Sequence, residues 1–131
     1  MKVAVWDTYV PKKDGNVMHF DIIAPDNIKD GGIIYQFGKD YLTAKNEENS
    51  ALDTDECQLC HIEEPSAEMI ESIANKGYYI LEMAEIPAIL PQTPTRRDII
   101  FHLRAFHKSF RFADFKDKTL DDVQNLLAQI S

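Results

Sequence analysis

The sequence lacks any apolar run that approaches the roughly 18 residues needed for a membrane-spanning helix. Its first residues are apolar only as far as Asp7, without the longer apolar core and small-residue cleavage site of a signal peptide. We therefore expect a protein that resides in the cytoplasm and makes no contact with a membrane. In that compartment its two cysteines are expected to be reduced.

Basic residues are scarce in the first two-thirds of the chain. Residues 1–85 carry 7 basic and 17 acidic side chains, a net charge of −10, whereas residues 86–131 carry a net charge of +2. Sequence-independent binding to nucleic acid needs clustered Lys and Arg to neutralise phosphates. We therefore expect no nucleic-acid partner, and the change in charge suggests a boundary near residue 85.

The familiar catalytic motifs are also missing. The sequence contains no Walker loop, dinucleotide fingerprint, G-x-S-x-G elbow or H-E-x-x-H pair. Its carboxylates are numerous, but no pair is placed by the sequence as acid and base. No catalytic or cofactor-binding residue is assigned, and the sequence leaves open whether the protein is an enzyme.

What is present begins with a β-hairpin. Residues 2–10 and 17–24 alternate with β-branched and aromatic side chains, and the segment between them has turn chemistry. A two-residue turn would place Trp6 opposite Ile23. A three-residue loop with Gly15 left-handed would instead place Trp6 opposite Ile22 and Thr8 opposite Phe20. We prefer the second register because it keeps one face of the hairpin apolar.

The preferred register has a consequence for the other face of the hairpin. It places Asp7 opposite Asp21 and Tyr9 opposite His19. Directly opposed carboxylates repel each other unless a cation, a protonated His19 or a shared proton lies between them. The alternative is a solvated sheet face on which the repulsion is screened.

The remainder of residues 1–84 predicts two helices and a final strand. Asp26 is a candidate N-cap for a helix that runs to about Lys45 and begins either there or after Gly31-Gly32, and residues 46–55 are expected to form a loop. Ser66 caps a second helix that Gly77 ends, and residues 78–83 form a strand. We therefore predict an α+β fold, a small antiparallel-hairpin-based sheet with helices packed on one face in the order β-β-α-α-β.

Both cysteines lie in a C-x-x-C-H motif formed by Cys57, Cys60 and His61. Covalent haem attachment would require export. A thiol–disulfide pair would require a lowered thiol pKa, whereas the acidic residues on both sides of the motif are expected to raise it. A third alternative is a pair of reduced, partly buried thiols with a hydrogen-bonded histidine.

The fourth alternative is a zinc site. C-x-x-C supplies two thiolates at a spacing that suits one tetrahedral Zn²⁺. The remaining ligands would come from His61, from His19 or from a carboxylate such as Asp7 or Asp21. The candidate metal ligands are thus Cys57, Cys60, His61 and His19, and Zn²⁺ is the only cofactor that the sequence suggests.

Four segments in residues 1–84 carry a family resemblance. The sequences AVWDTYV (4–10), VMHFDI (17–22), CHIE (60–63) and KGYYILEM (76–83), in this order and spacing, resemble a family of short bacterial proteins called domain of unknown function 2024. The resemblance implies a small α+β fold. It implies no activity and no catalytic residues, and residues 85–131 lie outside it.

Residues 85–94 are predicted to form a proline-rich linker, and residues 95–131 a two-helix extension. Thr95 is expected to cap the first helix, and Thr119 with Asp122 the second. Arg97, Arg104 and Arg111 recur at sevenfold spacing and are expected to share one helix face. Two short amphipathic helices rarely persist alone in water, so they must dock on residues 1–84 or on another chain.

Two hypotheses about function follow. The first is a non-enzymatic domain that acts through a protein partner or a homo-oligomer, with the C-terminal helices or an exposed strand supplying the contact. The second is a zinc-binding domain, structural or hydrolytic, that uses the C-x-x-C-H motif.

Overall fold

The protein is described here from a computed structural model, which defines residues 1–46 and 57–130. Its strands are β1 (Val3–Pro11), β2 (Val17–Pro25), β3 (Cys57–Glu63) and β4 (Tyr79–Ile86). Its helices are α1 (Gly31–Ala44), α2 (Ala67–Lys76), α3 (Arg96–Phe106) and α4 (Leu120–Ile130), with one 3₁₀ turn at Lys108–Phe110. Among the described residues, no helix is long and apolar enough to cross a membrane.

The strands of the described residues form one antiparallel sheet in the order β3-β1-β2-β4. The α+β fold class and the preferred hairpin register are confirmed, since Trp6 faces Ile22, Thr8 faces Phe20 and Gly15 has a φ of 92°. Gly15 closes the loop by donating its N–H to the carbonyl of Lys12 at 3.2 Å.

Helices cover both faces of the sheet, not one face as predicted. Side chains alternate along a strand, so Phe20 and Ile22, two residues apart, share a face with Ile34 of α1. Val5, on the opposite face, packs with Met69 of α2. The prediction failed because apolar residues occur on both faces of these strands. The alternation of side chains along a strand therefore does not show which helix covers which face.

Strand β3 was not predicted. It spans the C-x-x-C-H motif, to which the predicted order β-β-α-α-β assigns no strand. Its pairing with β1 shifts register between Val5, which faces His61, and Trp6, which faces Leu59, so Cys60 is the extra residue of a bulge. A bulge disturbs the alternation of apolar and polar residues from which strands are recognised.

Most helix boundaries follow the predicted caps. Ser66 accepts a hydrogen bond from the Met69 N–H, and Gly77 ends α2 in the left-handed region. Thr95 and Thr119 cap α3 and α4 in the predicted way. The exception is α1, which begins at Gly31 with Asp30 as its N-cap instead of Asp26.

The C-terminal helices dock on their own chain. In α3, Ala105 packs with Tyr9, Val17 and Ile86 on the sheet. The other side of α3 packs with α4 in a second cluster that contains Ile99, Ile100, Leu103, Phe115 and Val123. The apolar surface that required a partner is therefore covered in cis, and α3 packs on one face of the sheet.

Candidate metal centre

The hairpin register places Asp7, His19 and Asp21 on the same sheet face, as the sequence predicted. Along β1, the residues before Asp7 on this face pack under α2, whereas Tyr9, which follows it, packs under α3. The two carboxylates therefore lie in the gap between two helices. Asp21 and His19 are buried, while the Asp7 side chain keeps about a quarter of its surface, 27%, open to solvent.

The three side chains converge without closing direct hydrogen bonds to the histidine. His19 Nε2 lies 3.7 Å from Asp7 Oδ1 and 4.0 Å from Asp21 Oδ1. Both separations exceed a hydrogen-bond length. One ligand atom from each residue lies within 4.8 Å of the other two, the spacing of a site with room for an ion between its ligands.

Burial without pairing is the unusual feature of this cluster. His19 is only 7% exposed, yet neither ring nitrogen has a hydrogen-bond partner among the described residues, and the same holds for Asp21 Oδ1. More than nine in ten buried polar groups in proteins are hydrogen-bonded. The two His19 ring nitrogens and Asp21 Oδ1 could therefore bind a ligand, because no hydrogen bond within the described residues occupies them.

Aromatic rings hold the histidine in place. The Tyr9 ring stacks on His19 at 4.2 Å with an interplanar angle of 6°, and Phe101 of α3 meets its edge at 6.4 Å. The guanidinium of Arg111 lies 5.4 Å from the other side of Tyr9. Burial, the largest influence, raises the pKa of Tyr9 to about 12, so the ring stays neutral.

The two carboxyl groups have opposite protonation preferences. Burial and the hydrogen bond and charge of Asp7 raise the pKa of Asp21 to about 8. Burial acts in the same direction on Asp7, but the nearby His19 and Asp21 side chains outweigh it and lower the pKa of Asp7 to about 2. One lowered and one raised carboxyl pKa fit a proton shared by the pair, which is one of the three arrangements that the register left open, beside a cation and a protonated His19.

The bulge brings Cys60 to the edge of this cluster. Burial, followed by the charge of the nearby Asp7, raises the pKa of the Cys60 thiol to about 11. Cys60 carries a free thiol. A raised thiol pKa does not favour the thiol–disulfide interpretation, because the thiolate is the reactive form.

His61, the last residue of the motif, is not among the three converging ligands of the cluster. His61 is 51% exposed, with Nδ1 3.3 Å from Cys60 Sγ and Nε2 3.4 Å from Glu63. The Cys57 side chain lies outside the described residues. Of the four predicted ligands, the structure therefore places His19 with the two aspartates and Cys60 beside them.

The C-terminal extension places Arg111 near the Tyr9 ring, a position that the sequence did not predict. Arg111 was expected to share a helix face with Arg97 and Arg104, but it lies beyond α3 and is only 5% exposed. It donates to the carbonyl oxygens of Arg104 at 3.0 Å and Ala105 at 2.6 Å. The helix ends before Arg111, so the sevenfold spacing from Arg97 and Arg104 does not extend to it.

Comparisons with known proteins match the part of the chain that contains the cluster. A profile of the family described as Domain of unknown function (DUF2024) matches residues 1–83, which include Asp7, His19 and Asp21. The NMR structure of protein NE1680 from Nitrosomonas europaea is similar, with 40% sequence identity and a TM-score of 0.57 over 63% of this chain and 95% of that one. A comparison with curated proteins found no match.

Proposed function

The chain belongs to the family described as Domain of unknown function (DUF2024). For this member of the family we propose a metal-binding function, in which Asp7, His19 and Asp21 hold a divalent transition metal. The observation that carries the proposal is the buried His19, whose unpartnered Nε2 faces two carboxylates. A divalent cation would satisfy these atoms together and remove the repulsion between the carboxylates.

The donor set favours particular ions. One imidazole and two carboxylates suit Zn²⁺, Mn²⁺ or Fe²⁺, and three protein ligands leave a position open for water or substrate. Ligand atoms around a tetrahedral zinc are roughly 3.3 Å apart, given metal–ligand bonds of about 2.0–2.1 Å. The present separations of 3.7 and 4.0 Å need to close by only a few tenths of an ångström.

The predicted set Cys57, Cys60, His61 and His19 is a separate proposal for the same ion. Cys60 supports it, since its thiol is near enough to the cluster for the charge of Asp7 to raise its pKa. The two ligand sets share His19 and differ in the others. Substitutions at the unshared residues therefore distinguish them.

The test is metal binding by the purified, untagged chain, measured by elemental mass spectrometry and by the absorption spectrum of added Co²⁺. We expect about one metal per chain and a spectrum without a thiolate charge-transfer band. Asp7→Asn and His19→Gln should abolish binding, while Cys57→Ser and Cys60→Ser should leave it intact. Loss of binding in the cysteine variants alone would favour the thiolate set, and no metal in any form of the protein would refute both.

We propose a protein contact along β3 as a second function, in line with the interaction hypothesis. Leu59 and Ile62 are 46% and 45% exposed on this strand, which lies at the edge of the described sheet. Exposed apolar residues on an edge strand are suited to pairing with another chain.

This second proposal is tested by light scattering after size exclusion over a range of protein concentrations. Concentration-dependent association that Leu59→Asp removes would support it. Ile89→Asp is the matched control, because Ile89 is 84% exposed but lies in the linker. A monomer at every concentration would contradict self-association, and a pull-down against the same variants would then test a different partner.

A further inference from the structure

The C-terminal extension forms a basic groove beside Phe101, the ring that also meets the edge of His19. The groove encloses about 460 Å³ and is lined by four cationic side chains, Arg96, Arg97, Arg104 and Lys116, together with Ile100, Phe101 and Phe115. This volume is in the range of small-molecule sites. Its only acidic lining residue, Asp114, accepts a hydrogen bond from the backbone N–H of Lys116 at 2.9 Å.

None of the four cations forms an ion pair within the described residues. Arg97, Arg104 and Lys116 have no carboxylate within ion-pair distance there, although the protein as a whole has a net charge of −8. Arg96 also lacks a carboxylate partner there, and its guanidinium donates to the carbonyl oxygens of Lys118 and Phe115. Unpaired cations that gather in one groove of an acidic protein indicate a binding site for an anion.

Arg104 is the most constrained of these cations. One terminal nitrogen donates to the carbonyl of Ala113 at 3.2 Å, and its guanidinium packs 5.3 Å from the Phe115 ring. Its Nε is buried and has no hydrogen-bond partner in the described residues. Arg97 packs in a similar way, 5.0 Å from the Phe101 ring. Both guanidiniums are thus held on aromatic rings that also line the groove.

We propose that this groove binds a small molecule that carries a phosphate group. Guanidinium groups suit the bidentate geometry of a phosphate, and Lys116 adds a point charge at the exposed side. The apolar lining favours a phosphate ester over the free ion. A nucleic-acid strand fits less well, because the body of the protein, residues 1–85, carries a net charge of −10.

The inference is independent of the metal site, so the test uses metal-free protein in chelator. Inorganic phosphate and phenyl phosphate are titrated at constant ionic strength and followed by calorimetry and by NMR of the arginine side chains. We expect saturable binding, tighter for phenyl phosphate, with shifts at Arg97 and Arg104. Lys116→Gln and Arg104→Gln should each weaken binding by about tenfold, the effect of losing one charge-assisted hydrogen bond.

Two variants keep the test decisive. Lys116 is exposed, so Lys116→Gln stays informative if Arg104→Gln fails to fold. Lys39→Gln is the charge-matched control, because Lys39 lies on α1 on the opposite face of the sheet. Equal weakening by Lys39→Gln would indicate non-specific electrostatics and would overturn the proposal, as would the absence of saturable binding.

Discussion

At the scale of residues, the cluster of Asp7, His19 and Asp21 stabilises the metal-free fold poorly. Buried polar atoms without partners cost free energy, and burial beside Asp7 disfavours the ionised form of Asp21. Proteins keep such arrangements mainly where function requires them. The cluster therefore suggests substitutions that should strengthen the metal-free fold and weaken binding.

We expect Asp21→Asn to make metal-free protein less sensitive to rising pH. The pKa of Asp21 is raised from 3.8 to about 8 on folding, so its contribution to stability is fully present below pH 3.8 and is lost as pH rises through about 8. Asparagine cannot ionise, so the variant should not show this loss. At about pH 9 it should be more stable than the natural chain by on the order of 2 kcal/mol, the cost of a poorly compensated buried polar group.

Urea unfolding in chelator between about pH 5 and pH 9 measures this difference. Asp117→Asn is the control, since Asp117 is exposed and its substitution should give the same small change in unfolding free energy at every pH. A constant difference between Asp21→Asn and the natural chain across the range would contradict the shared proton.

At the scale of elements, one turn sets the register on which the candidate site depends. The loop at Gly15 aligns Asp7 with Asp21, and a slip of one residue would move every side chain of one strand to the other face. Gly15 adopts a φ of 92°, in the left-handed region that residues with a Cβ disfavour. The bulge at Cys60 is a second local device, which turns a side chain of β3 toward the same cluster.

Gly15→Ala and Gly31→Ala should have opposite effects on stability. Gly15→Ala should destabilise by roughly 1–2 kcal/mol through the backbone alone, because a Cβ there would meet Ala88 only at an ordinary contact of 3.7 Å. Gly31→Ala should stabilise by about 0.4–1 kcal/mol, since Gly31 begins α1 and a Cβ there meets nothing within 4 Å. Chemical denaturation of both variants gives the comparison, and a shared sign would contradict this account.

At the scale of the whole molecule, the C-terminal extension is packed on the sheet. Residues on β1, β2 and β4 meet Ala105 of α3 in one cluster, and Phe101 reaches the ring of His19. The extension lies outside the family match at residues 1–83, yet it supplies one side of the candidate site and the whole basic groove. The division into a domain of residues 1–84, a linker of residues 85–94 and an extension stays a prediction.

Ile86→Ala should be costly only if the extension docks as described. Ile86 is 4% exposed beneath α3, so truncation should leave a cavity and cost about 2–4 kcal/mol. Ile89→Ala, at an exposed position three residues later, should change stability by less than about 0.5 kcal/mol. Thermal unfolding at several protein concentrations measures both changes, and a concentration-dependent midpoint would indicate that the extension docks on a second chain.

The sequence by itself determined the local structure. Loop chemistry and the requirement for one apolar face decided the hairpin register, and with it the apposition of Asp7 and Asp21. Side-chain caps at Ser66, Thr95 and Thr119 set helix starts, because these hydrogen bonds close within three residues. The hairpin turn and the helix caps could be predicted from the sequence because each depends on residues that are close together in the chain.

Only the tertiary structure decided what depends on distant contacts. The bulge at Cys60 hides strand β3 from a period-two pattern, and the faces covered by α1 and α2 follow from packing. The burial of Arg111 depends on where α3 docks. The sequence showed two carboxylates and a histidine on one hairpin face. Their burial without partners, which makes them a candidate metal site, arises only when α2 and α3 close over the sheet on either side.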